Sequence, residues 1–186
     1  MAEIRADLPK GMYVMNQLFR VAKSICKIAY WKCRYGSRIR TLWIQGFDHV
    51  NLELSKNGRI ILGEKIQNRG NLHLICEGNG NLEIGGHVFF NTNACVSCLG
   101  KVQIGDYCKL GNNIVVVDHD HNFKNQDSEY LVGEVVIGNR VWIGANCTIL
   151  KGAHIGDDCV IAAGSVVRGE IPAGTVFYQK RENVMR

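Results

Sequence analysis

Two hydrophobic periods divide the chain. Between residues 12 and 33, Val14, Leu18, Val21, Ile25 and Ile28 recur at alternating four- and three-residue steps, the spacing of a single helical face. This predicts a helix packed by that face on the main body or on a neighbouring subunit. Arg20, Lys23 and Lys27 fall away from the stripe, and Tyr30 and Trp31 follow at its end. From about residue 48 the period shortens. Asn51-Leu52-Glu53-Leu54, Asn71-Leu72-His73-Leu74 and Asn81-Leu82-Glu83-Ile84 alternate polar and apolar positions, as strands with one buried face do, and Gly63, Gly70, Gly78 and Gly80 punctuate them.

A strict period of six then takes over. Aliphatic or aromatic anchors stand at Ile84, Phe90 and Val96, at Ile104, Leu110 and Val116, at Ile137, Ile143 and Ile149, and at Ile155, Ile161 and Val167. Glycine follows the anchors at 84, 104, 110, 137, 143 and 155. A small or β-branched residue often stands four positions after the anchor (Val88, Ala94, Cys108, Ile114, Val141, Cys147, Ala153, Cys159, Ser165). Six residues are too few for a helical hairpin but suit one short strand and one turn. Three such units close a triangular coil with the anchors inside and glycine allowing the corner, and each coil buries its face by stacking on the next. The expected architecture is mainly β: a parallel β-helix over 48–178, preceded by a helical segment over 1–47 and followed by a tail over 179–186.

Charge separates these parts further. From Pro9 to Phe47 there are eight basic residues and no acidic one, while the rest of the chain carries a net charge of −3. A basic amphipathic helix resting on an anionic membrane surface is therefore a second reading of the N-terminal segment. No nucleic-acid-reading motif accompanies the charge. No apolar run reaches the ~18 residues of a membrane span, and no segment has the pattern of a secretory signal, so a cytoplasmic location is expected, with the inner membrane face as its refinement. Six of the eight cysteines fall inside the repeat, where they read as small hydrophobes and not as disulfides. Cys95-x-x-Cys98 is a lone pair without the second pair a zinc site needs.

The period breaks once. Twenty-one residues separate Val116 from Ile137, and the active-site loop expected over 117–136 begins Asp118-His119-Asp120-His121 and continues through Asp127, Glu129 and Tyr130. Interruptions of a regular solenoid are where function is expected. If extended, this stretch points His119 and His121 one way and Asp118 and Asp120 the other. Histidine can take a proton from a hydroxyl that attacks a thioester, a carboxylate on its other nitrogen would fix its tautomer, and a backbone N–H would meet the developing oxyanion. Asp118, His119, Asp120, His121, Asp127 and Glu129 also form a donor set for zinc or another transition metal, which keeps a metal-dependent hydratase open.

The hexads, with Val141-Trp142-Ile143-Gly144 and Gly164-Ser165-Val166-Val167, resemble the hexapeptide-repeat acyltransferases, especially the maltose, galactoside and capsular-polysaccharide acetyltransferases. The resemblance covers about residues 81–178 and implies a left-handed β-helix and a homotrimer with active sites between subunits. It implies acetyl-CoA as acyl donor, a sugar or glycan hydroxyl as acceptor, and no metal. It places the general base on His119, with His121 as the alternative and Asp118 or Asp120 as its orienter. It also implies that Gly144, Ala145, Ala162 and Ala163 let the pantetheine arm approach the backbone, that Arg168 replaces a family lysine, and that Lys180 and Arg181 meet the nucleotide phosphate. An amino-sugar N-acetyltransferase and a non-catalytic scaffold are the other readings of the same fold.

Overall fold

The structure is a computed structural model that describes residues 10–42, 45–47, 49–124 and 129–180. Arg181 and Asp127 lie outside the described residues. An α-helix spans Lys10–Tyr35, with Lys32 and Arg34 in its last turn, where cations complement the helix dipole. Gly36, at φ 60°, ends it in the left-handed conformation that glycine adopts without a steric penalty.

The remainder is a left-handed parallel β-helix. Its first face stacks Ile39–Arg40, Arg59–Leu62, Asn81–Ile84, Lys101–Ile104, Val135–Ile137, His154–Ile155 and Glu170–Ile171. The second stacks Gln67–Asn68, Phe89–Phe90, Lys109–Leu110, Trp142–Ile143, Val160–Ile161 and Val176–Phe177. The third stacks Val50–Leu54, Leu72–Cys76, Ala94–Cys98, Val115–Val117, Thr148–Ile149 and Val166–Val167. The first face thus begins before position 48, with Ile39 paired to Ile60.

All twelve hexad anchors are buried, and the parallel register stacks them in columns. One column runs Ile84, Ile104, Ile137, Ile155 and Ile171. Another runs Phe90, Leu110, Ile143 and Ile161. A third runs Val96, Val116, Ile149 and Val167. Each buried aliphatic side chain contributes roughly 1.5–3 kcal/mol over its exposed state, and these columns hold the solenoid together.

The glycines after the anchors do not do what the sequence suggested. The left-handed corner positions are filled mainly by other residues: Lys65, His87, Tyr107, Arg140 and Asp158 at one edge, and Asn93, Asn113 and Asn146 at another. Asparagine tolerates this conformation, and here Asn93 donates to Asn113 and Asn113 to Asn146 through their side-chain amides. The anchor-following glycines are needed for close stacking instead. A Cβ on Gly144 would stand 2.6 Å from the Ala163 backbone nitrogen, and one on Gly156 would stand 2.4 Å from that of Ala173.

The helix also docks differently from the sequence reading. Ile28 and Trp31 are buried, with Ser24 beside them, but Leu18 and Ile25 of the expected stripe face solvent. The Val14 side chain lies outside the described residues. Two cations fasten the helix to the coil: Arg20 donates to the Asn68 carbonyl and Lys27 to the Val50 carbonyl, at 3.1 and 2.8 Å. Trp31 packs edge-on against Phe47. Aromatic and aliphatic packing beside these cation–carbonyl bonds outcompeted the simple apolar period.

Candidate active site

The insertion leaves the edge between the third and first faces. It folds into an antiparallel hairpin in which His119–His121 pairs with Tyr130–Val132, placing His119 opposite Val132 and His121 opposite Tyr130. The Gly133 amide closes its base on the Asp118 carbonyl. Directly beneath, on the preceding coil, lies the Leu99–Gly100 corner.

Asp118 is fully buried at this junction. Its carboxylate accepts the backbone N–H groups of Leu99 and Gly100 at 2.9 and 2.8 Å, and Oδ1 lies 2.8 Å from Nδ1 of His119. An ionised carboxylate can only accept, so Nδ1 is the donor, and in the neutral ring Nε2 keeps its lone pair. The His119 side chain is 16% exposed, enough for Nε2 to meet a reactant while the ring is held. His119 and His121 both lie against Tyr130, as the alternation expected, but the two aspartates do not share a side. Asp118 orients His119. Asp120 reaches upward, its carboxylate 3.8 Å from Lys151 Nζ and 3.7 Å from the Arg168 guanidinium.

Tyr130 was noted in the sequence only as a member of the insertion. Its ring stands perpendicular to His119 at 5.4 Å and tilted against His121 at 4.9 Å. A hydrogen bond to Glu129, reinforced by that residue's charge, holds the Tyr130 phenol above its ordinary pKa. Cross-strand pairing creates this contact, and no local motif announces it. His121 is exposed.

The remaining candidates divide between edges. Arg168 shares the hairpin's edge. Gly144-Ala145 and Ala162-Ala163 stack on the edge between the second and third faces, where the Gly164 amide donates to the Ala145 carbonyl. In one chain these small residues are therefore not on the edge that carries His119. Exposed apolar side chains flank them: Trp142 and Val176 on the second face, Val115 and Val166 on the third. Lys180 is exposed beyond Gln179, whose amide pairs with the Val166 backbone. Among the described residues no three histidine, cysteine or carboxylate side chains converge as a metal-holding group. Cys95 and Cys98 point to opposite sides of their strand, half-buried and buried, so the C-x-x-C spacing does not bring the thiols together.

The fold is thus a solenoid of hexads interrupted by one loop that carries a carboxylate-held histidine. Residues 134–169 match the family described as bacterial transferase hexapeptide (six repeats). Over 136 residues the chain is 33% identical to WbbJ of Escherichia coli strain K12, a protein provisionally named as a lipopolysaccharide biosynthesis O-acetyl transferase; the match covers 67% of this chain and 69% of the relative. It is 35% identical over 99 residues to the galactoside O-acetyltransferase of the same organism, covering 52% of this chain and 49% of that protein. A hexapeptide-repeat acetyltransferase from Vibrio cholerae, solved with acetyl coenzyme A, shares the fold: TM-score 0.51, 23% identity, 85% of this chain and 78% of that one. The chain belongs to the hexapeptide-repeat acetyltransferases.

Proposed function

We propose that the protein is an acetyl-CoA-dependent O-acetyltransferase acting on a hydroxyl of a sugar or polysaccharide precursor, with His119 as general base and Asp118 as its positioning residue. The observation that carries this reading is the buried Asp118 carboxylate, held by two backbone N–H groups and bonded to Nδ1 of a histidine whose side chain is 16% exposed. His119 Nε2 takes the acceptor proton as the acceptor oxygen bonds to the acetyl carbonyl carbon. The carbon–sulfur bond then breaks, and His119 returns the proton to the leaving sulfur. Asp118 keeps the ring in the accepting tautomer and stabilises the imidazolium that forms between these steps. Relatives named for O-acetyl transfer in lipopolysaccharide biosynthesis and for galactoside O-acetylation support the acceptor class.

The donor groove is proposed along the edge with Gly144, Ala145, Ala162 and Ala163. Because that edge is not the one carrying His119 in the same chain, a complete site needs a neighbouring copy, which supports a homotrimer. The exposed Trp142, Val176, Val115 and Val166 beside the groove suit such a contact. Arg168 and Lys180 remain candidate partners for the phosphates of the donor.

The test is incubation of the protein with acetyl-CoA and a panel of neutral and amino sugars, following acetylated product and free CoA by mass spectrometry. Acetylated product that falls at least 10²-fold with His119→Ala, and much less with His121→Ala, is expected. Equal losses for both variants, or none for His119→Ala, would remove the assignment.

A further inference from the structure

The helix over Lys10–Tyr35 is amphipathic, yet it turns part of its apolar surface away from the protein. Met15, Leu18 and Phe19 are 68, 65 and 62% exposed, and Ile25 and Tyr30 are exposed beside them. Its anchoring is carried largely by Ser24, Ile28, Trp31 and the cations Arg20 and Lys27, so packing in the chain does not require the outward side chains. Lys23 stands among them, its ammonium 4.7 Å from the centre of the Phe19 ring. A groove of about 720 Å³ opens on the same side, lined by Phe19, Ala22, Lys23, Cys26, Tyr30 and His49 among others. Arg34 and Arg40 lie exposed further along.

We infer that this face is a docking surface for an anionic lipid bilayer, with the helix lying in the plane of the interface. Charge complementarity selects the occupant. The segment from Pro9 to Phe47 has no anion, and although Arg20 and Lys27 turn to the coil, Lys23, Arg34 and Arg40 are exposed, so two copies meeting through this same face would set like charges together. An anionic headgroup layer instead neutralises Lys23 and its neighbours while the acyl boundary takes up Leu18, Phe19 and Met15. Lysine beside an aromatic ring is suited to that boundary, with its stem in the apolar layer and its head in water. No helix among the described residues is long and apolar enough to cross the membrane, so the contact is peripheral. This inference stands on the helix alone and does not depend on the acceptor proposed above.

The experiment is co-sedimentation of the full chain with phosphatidylcholine vesicles and with vesicles that also contain phosphatidylglycerol, at low and high salt. Binding to the anionic vesicles that weakens as salt rises is expected, with little to neutral ones. Lys23→Gln should weaken partitioning about fivefold, from ~1 kcal/mol per surface cation. Leu18→Gln combined with Phe19→Gln should weaken it by more than tenfold. Both variants change exposed positions and should keep the wild-type melting temperature. Two results would overturn the inference: equal recovery with neutral and anionic vesicles, or none with either. A third would be a smaller assembly for the Leu18/Phe19 variant in sedimentation velocity, showing that another copy of the chain covers this face.

Discussion

Asp118→Asn is the sharpest perturbation of the proposed mechanism, because it replaces one oxygen of a buried group by an NH₂ and leaves its shape. The native carboxylate meets three donors: the Leu99 and Gly100 amides and His119 Nδ1. An amide offers one acceptor oxygen and one donor nitrogen. With the oxygen kept toward Leu99 and His119, its NH₂ faces the Gly100 N–H, and a buried donor loses its partner at a cost of about 1–3 kcal/mol. With the amide turned over, the NH₂ faces His119 Nδ1. The imidazole must then carry its proton on Nε2, where it can no longer accept one from a hydroxyl. In either orientation the charge that stabilises the imidazolium is gone. The expected result is a kcat lower by about 10²–10⁴-fold, by analogy with the serine-protease aspartate-to-asparagine change, with a melting temperature reduced by several degrees. Asp120→Asn is the control. Its partners are 3.7 and 3.8 Å away, with Arg168 exposed and Lys151 half-buried, so the change should cost under about 1 kcal/mol in stability and less than tenfold in rate. Steady-state kinetics on both purified variants decides the matter. If Asp118→Asn turned over within threefold of wild type, or if Asp120→Asn fell equally far, Asp118 would not position the base.

Two further outcomes test the fold. Gly156→Ala forces a methyl against backbone atoms of the next coil, which cannot step aside as a flexible side chain would; a loss of about 1–3 kcal/mol is expected in chemical denaturation, and a neutral change would contradict the stacking account. Thiol alkylation of the native protein at neutral pH should label Cys26 and Cys33 quickly and leave Cys76, Cys98, Cys108, Cys147 and Cys159 until it unfolds. These five are buried, and burial pushes the Cys108 thiol up to about 11, so little nucleophilic thiolate forms there; rapid modification at any of the five, read by peptide mass spectrometry, would show the coil to be looser than described.

The solenoid was legible because its rule is local. Six-residue spacing fixes which side chains point inward, and every hexad anchor from Ile84 to Val167 obeys it in the structure. The role of the glycines was not legible, since close stacking between coils is a long-range fact: Gly144 meets Ala163, which lies a coil away in sequence. The helix misled for a related reason. Its apolar period named Leu18 and Ile25, but the surface it docks on offers backbone carbonyls that suit Arg20 and Lys27. At the insertion, sequence supplied the alternation of histidine and aspartate. It could not separate Asp118 from Asp120, because the difference lies in the Leu99 and Gly100 amides contributed by the coil beneath. Tyr130 likewise reaches both histidines only through hairpin pairing.

The most direct test of the central claim is a crystal structure of the protein with coenzyme A. The account predicts the thiol sulfur within about 3.5 Å of His119 Nε2, the reach a reacting atom needs, with the pantetheine arm running along Gly144, Ala145, Ala162 and Ala163 of an adjacent copy. A sulfur lodged away from His119, or an arm bound on another face, would contradict it.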